Sequence, residues 1–155
     1  MTEGTPPTVL RIRLPGVVSW SRPRRVGGGV RYPAAYAQDR DAWALMVALA
    51  VREARWQPPP AARYRVEVAV YGGGKRDLDR VCTAVLDALQ TGGAVRDDCL
   101  VDKLAACRYR LPVDQQPATV VQVAALPSGG RPNQPPNQPS SARPSRTGGH
   151  HEPLT

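Results

Sequence analysis

The sequence predicts an α/β fold of the α+β kind, a single small mixed β-sheet packed against two helices. Three observations lead to it. Val9–Leu14 and Arg63–Tyr71 alternate apolar and polar residues, the period of a strand with one buried face. Two other stretches, ending near Arg55 and Leu89, space their apolar residues by three and four, the period of a helix with one buried stripe. In chain order the elements read strand, helix, strand, helix, strand, strand, which builds one sheet with the helices as its cover.

Residues 1–7 read as a flexible N-terminus and residues 8–125 as one domain. Phe is absent, so Leu, Val, Ala and the three Trp must fill the core. In the first strand Leu10, Ile12 and Leu14 share one face, with Arg11 and Arg13 on the other, and Pro15 ends it. Gly16–Tyr32 is irregular and carries Trp20, Arg22, Arg24, Arg25 and Gly27-Gly28-Gly29. It is either a basic arm that sets Arg24 and Arg25 on phosphate or a solvated hairpin tip. A helix follows, from Ala35 or Asp39 to Arg55, with Trp43, Met46, Val47, Ala50 and Ala54 as its core stripe. Trp56-Gln57-Pro58-Pro59-Pro60 stops it, because Pro cannot continue a helix.

The next strand sets Tyr64, Val66, Val68 and Val70 on one face and Arg63, Arg65 and Glu67 on the other. Gly72-Gly73-Gly74 reads as a turn: it lacks the Gly-Lys-Ser/Thr ending of a P-loop and the spacing of a dinucleotide fingerprint, so no nucleotide cofactor is expected. The second helix has Asp77 as its N-cap and an apolar stripe of Leu78, Val81, Val85, Leu86 and Leu89. Gly92 and Gly93 close it as left-handed caps. Val101–Leu111 and Thr119–Ala125 are strands, and the turn around Pro112–Pro117 predicts a hairpin between them. Residues 126–155 are dominated by Pro, Gly, Ser, Asn and Gln, a composition that cannot bury a core and predicts a disordered tail. His150 and His151 lie in it, read as a chance pair rather than a metal site.

The formal charge is +8, and 19 of the 21 cationic residues are Arg, whose planar fork suits phosphate. A high-GC genome also inflates Arg, but not the net surplus, which agrees with a polyanionic partner such as nucleic acid. Charge by itself equally fits a ribosome- or membrane-surface protein. Three Cys with no CxxC and no zinc spacing point to reduced thiols in a cytoplasm. No signal peptide or membrane-spanning run is read, so a soluble intracellular protein, with no membrane partner, is expected.

Four of the thirteen acids fall in two close pairs, Asp77 with Asp79 and Asp97 with Asp98, among basic residues. Crowded carboxylates repel one another, and a bound cation or a raised pKa is the usual resolution. Hard oxygen donors without Cys or His suit Mg²⁺ or Mn²⁺ rather than zinc. The alternative needs no metal: Asp77 caps a helix, Asp79 favours its positive end, and Asp97-Asp98 is a solvated turn. Both readings stay open on spacing alone. The metal reading expects the two pairs to face each other at one end of the sheet.

The run Lys75-Arg76-Asp77-Leu78-Asp79, then Ala84-Val85-Leu86-Asp87-Ala88-Leu89, then Asp97-Asp98 and Val101, resembles the signature of the RusA family of Holliday junction resolvases. Those are small homodimeric Mg²⁺-dependent endonucleases of bacteria and their phages and prophages. The resemblance is densest over Lys75–Val101 and looser in layout from Val9 to about Val123. It implies that Asp77, Asp79 and Asp98 are the catalytic metal-binding acids, with Asp97 beside them, holding Mg²⁺ or Mn²⁺ as cofactor. It further implies a RusA-like fold, a homodimer with two sites, branched four-way DNA as partner, and paired symmetric cuts in recombination and repair. Arg24, Arg25, Lys75, Arg76, Arg80 and Lys103 are then the candidate nucleic-acid contacts. Two departures stand out: Arg80 replaces the usual Asn, and Thr83 replaces a functionally important Lys, for which Arg80, Lys75 or Lys103 are the candidate substitutes.

Two readings from other classes remain. One is a branched-DNA-binding protein of the same fold that cuts weakly or not at all. The other is a nucleotide-sugar enzyme using Asp77-x-Asp79 for Mg²⁺ and a diphosphate, which the basic charge and short chain disfavour.

Overall fold

The structure, a computed structural model, describes residues 7–126. The N-terminal lead read at 1–7, all but its last residue, and the tail beyond 126 with His150 and His151 lie outside the described residues. The main strands are β1 (Val9–Pro15), β4 (Arg63–Tyr71), β5 (Val101–Tyr109) and β6 (Ala118–Leu126), and the helices are α1 (Ala34–Glu53) and α2 (Leu78–Thr91). Two short strands, β2 (Arg24–Val26) and β3 (Gly29–Arg31), make the separate hairpin within the segment read as irregular.

The fold class is the expected one, a small α+β protein with a four-stranded mixed sheet in the order β1-β6-β4-β5. β6 runs antiparallel to both β1 and β4, while β4 and β5 are parallel. The expected hairpin between the last two strands does not form. β6 lies between β1 and β4, so the segment after β5 passes the end of β4 on its way there. Gly72 N–H donates to Tyr109 O and Gly16 N–H to Pro117 O along that passage. β6 takes the interior position because its Val-rich run, with Val121 and Val123 buried, suits a strand paired on both sides. β5, mostly exposed, takes the edge.

The alternating strands bury the faces expected of them: Leu10, Ile12 and Leu14 from β1, and Tyr64, Val66, Val68 and Val70 from β4. α2 lays Val81, Val85, Ala88 and Leu89 onto this layer. Each fully buried Val or Leu contributes about 1.5–3 kcal/mol. α1 buries Tyr36, Trp43, Ala44 and Val47, but Met46, expected in its stripe, is 40% exposed beside Leu45 and Leu49. Trp43 and Val47 of that stripe are buried and Ala50 and Ala54 pack against the core, but the run from Ala42 to Val51 is apolar all round, so its periodicity did not exclude Met46. The choice is made by Trp43, whose Nε1–H donates to Pro15 O at 2.8 Å, and by the approach of α2.

That approach gives the two closing glycines of α2 different jobs. Gly93 has the left-handed φ of +83°, as a glycine cap does. Gly92, at φ −80°, is not left-handed. Its lack of a side chain lets α1 come close: a Cβ there would sit 2.5 Å from Val47 and 2.7 Å from Ala44 O. No helix among the described residues is long and apolar enough to cross a membrane. Cys82 is buried and Cys99 and Cys107 are exposed, all three as free thiols.

Candidate functional site

β4 delivers the chain to Gly72, Gly73 and Gly74, all at positive φ, and the turn they make leads straight to the first turn of α2. Asp77 occupies the N-cap position there, yet its side chain makes no capping hydrogen bond. Its carboxylate is exposed and lies 3.6 Å from Arg80 Nε. Asp79, in the same first turn, is also exposed. A capping hydrogen bond therefore does not explain Asp77, and both acids are exposed at the positive end of a helix, Asp77 beside Arg80.

Asp97 and Asp98 are elsewhere. Asp97 Oδ1 accepts from Cys99 N–H at 3.0 Å, capping the 3₁₀ turn Asp98–Leu100 that opens β5. That hydrogen bond holds the Asp97 carboxyl below its ordinary value. Asp98 is exposed on the same turn. Because β4 and β5 are parallel, with Tyr64 opposite Val101 and Tyr71 opposite Tyr109, α2 must run back along the sheet between them. Its 14 residues separate the two acid pairs by about 21 Å. The expectation that the pairs face each other is thus corrected within one chain: they lie at opposite ends of α2. Among the described residues no three Asp, Glu, His or Cys side chains come together as a metal-holding group. A single copy of the chain does not bring its four acids onto one ion.

Two arginines to which the sequence gives no role beyond a place on a strand fix the acid-bearing segments. Arg108, near the end of β5, donates from Nη1 to Gly74 O at 3.3 Å and from Nη2 to Arg76 O, pinning the loop that enters α2. Arg63, at the start of β4, donates to Asp102 through Nε at 2.9 Å and to Cys99 O through Nη2 at 3.4 Å, pinning the 3₁₀ turn. Parallel pairing was the signal that would have found both, since each arginine lies across from the loop it holds.

The other candidates divide by location. Arg80 sits beside Asp77, while Lys75 and Arg76 lie exposed on the loop before it. Thr83, in the place of the family lysine, donates its hydroxyl to Asp79 O at 3.0 Å. Lys103 pairs across to Arg65, on the sheet face away from the helices and toward the opposite end from Asp77. Within one chain it therefore lies away from Asp77. Arg24 and Arg25 are exposed on the β2–β3 hairpin, with Arg31 opposite Arg24. The foot of that hairpin is tied to the acids, because Trp20 N–H donates to Arg80 O at 3.0 Å. Asp87 accepts from Tyr36 Oη at 3.1 Å; burial, and then this carboxylate, push the Tyr36 hydroxyl far up.

Between α2 and β5 runs a groove of about 360 Å³, lined by Leu78, Cys82, Leu86, Leu104 and Ala106, with Asp79 and Thr83 on its rim. Leu104 points to the helix side of the sheet yet is 44% exposed, because no helix among the described residues covers edge strand β5 there. No protein-family model matches the chain, and no curated protein matches it either.

Proposed function

We propose that the chain is a divalent-metal-dependent endonuclease of the RusA kind, cutting four-way DNA junctions as a homodimer. The observation that carries this reading is the pair Asp77 and Asp79, exposed at the start of α2, with Asp77 unused as a cap and basic residues around both. Asp98 joins them only from a second copy. If two α2 helices pack antiparallel across the α2–β5 groove, the start of each lies beside the end of the other. Asp77 and Asp79 of one copy then meet Asp98 of its partner, with Asp97 alongside, and two equivalent sites arise. The exposed apolar groove, closed by Leu86 and Leu104, supports such a contact.

The donor set, three or four carboxylates without sulfur or imidazole, suits Mg²⁺, or Mn²⁺ in its place. When bound, that ion supplies an acidic water and neutralises charge at the scissile phosphate. The chain's own cations offset the repulsion between carboxylates and DNA: Arg80 beside Asp77, Lys75 and Arg76 before it, and Arg24 and Arg25 on the arm rooted at Arg80.

The test is incubation of a labelled synthetic four-way junction with Mg²⁺ or Mn²⁺, beside linear duplex and an Asp79→Asn variant. Paired symmetric nicks on the junction alone, absent from the variant, are expected. One observation favours a second reading, a junction-binding protein that does not cut: the Thr83 hydroxyl is engaged with Asp79 O and supplies no cation. Tight junction binding without nicks under either metal would put that reading in place of the enzyme.

A further inference from the structure

Among the described residues the helices cover one face of the sheet and nothing covers the other. On the open face the register sets Tyr71 of β4 beside Tyr109 of β5 in the row nearest the Gly72–Gly74 turn. Their rings stack at 5.1 Å between centroids, 20° from parallel, and Tyr109 is 48% exposed. Arg11 and Arg13 project from β1 at one edge and Lys103 from β5 at the other, the two edges being about 14 Å apart at ordinary strand spacing and Lys103 in the row of Val9, further along the strands. Between them lies a shallow depression of about 230 Å³, floored by small side chains such as Ala69, Ala105 and Val120. Two carboxylates nearby are engaged, Glu67 with Arg65 at 3.4 Å and Asp102 with Arg63. Arg11, Arg13 and Lys103 remain as surplus positive charge.

We propose that this open face binds single-stranded DNA, with Tyr71 and Tyr109 stacking its bases and Arg11, Arg13 and Lys103 holding its phosphates. A partly exposed aromatic pair at one end of a flat floor, with cations at the floor's edges that make no ion pair among the described residues, meets the two things an unpaired strand offers: free base faces and a polyanionic backbone. Duplex DNA offers only the second, since its bases are already stacked on one another. A protein partner would have to meet positive charge at both edges with matching acids, and nothing in the floor of Ala69, Ala105 and Val120, with Glu67 already beside Arg65, selects it. The choice of DNA over RNA rests on the junction reading above; the stacking and charge argument does not. The aromatic row borders the turn that leads to Asp77, so an unpaired strand held here extends toward the acids at the start of α2.

The experiment is fluorescence anisotropy of labelled dT12 with the full chain and no divalent metal, beside rU12 and a 12-base-pair duplex. Wild type is expected to bind dT12 in preference to the other two, more weakly as salt rises. The double variant Tyr71→Ala/Tyr109→Ala should lose about tenfold or more of that affinity, the range for losing base stacking. Tyr109→Phe should retain it. If the alanine variant fails a circular-dichroism check of folding, the charge reversal Arg11→Glu/Lys103→Glu, at exposed positions, reads the same surface and should abolish binding. Unchanged affinity in a folded variant, tighter binding of rU12, or a wild-type dimer that falls to monomer in the tyrosine variant without DNA would each overturn the proposal. Junction cleavage that fails while dT12 binding behaves as expected defeats only the nuclease reading; the converse defeats only this one.

Discussion

Gly92 carries more of the fold than the last position of a helix implies. An added methyl would meet Val47 and the carbonyl of Ala44 at 2.5 and 2.7 Å, and the carbonyl belongs to backbone that cannot rotate aside. Alanine's better helix propensity, up to about 1 kcal/mol, opposes this clash but is the smaller effect. Gly92→Ala is expected to cost about 1–3 kcal/mol, as overpacked cores do, measured by urea unfolding. Equal stability of the variant would mean that α1 and α2 do not pack this closely. The same scale explains one misreading. Asp77 and Asp97 both occupy the residue before a helical turn, and nothing in their identity says which side chain turns back onto the backbone. Asp77 occupies the N-cap position expected of it but makes no capping hydrogen bond; Asp97, expected in a metal site or a solvated turn, caps Cys99. Sequence names the position, and only the local backbone decides the hydrogen bond.

At the level of elements, β1, β4 and α2 were legible because each has one buried face and a clean period, so burial alone specifies them. The face of α1 was legible except at Met46, where the all-apolar run Ala42–Val51 blurs the period, and the partners of β5 and β6 were not legible, because strand pairing depends on residues far apart in sequence. The segment from Asp97 to Asp102 illustrates what such pairing adds. Asp102 is held below the ordinary 3.8 by the Arg63 guanidinium, and Asp97 is held below it by the Cys99 amide. Both groups therefore bind protons less readily when folded than unfolded. Their stabilisation is fully present above about pH 4 and is lost as pH falls through the depressed values. Asp102→Asn should consequently lose less stability than wild type between pH 5 and pH 3, compared by urea unfolding across that range. A loss as steep as wild type would mean that the Arg63 pair does not hold the turn in solution.

For the whole molecule, the acid pairs were legible as residues but not as a site. A strand, a helix of 14 residues and a second strand form the usual parallel crossover, which puts the ends of the helix at opposite ends of the sheet. Proximity in sequence, Asp79 to Asp97, hid a separation of about 21 Å along the helix axis. If the acids work together, two chains must supply them, and this can be tested by mixing two inactive proteins. Asp79→Asn and Asp98→Asn are each expected to leave the homodimer without a complete site. In a mixed dimer, one site combines both substitutions, while the other takes Asp77 and Asp79 from the Asp98→Asn chain and Asp98 from the Asp79→Asn chain. That second site is intact. Mixing, after dissociation and reassociation of the two variants, should restore nicking on one strand of a four-way junction without the paired second cut. If each chain instead completed its own site, every chain in the mixture would remain defective and no nicking would return. Restoration would place the acids on either side of a twofold interface, and the α2–β5 groove with Leu86 and Leu104 is the surface where that interface is expected.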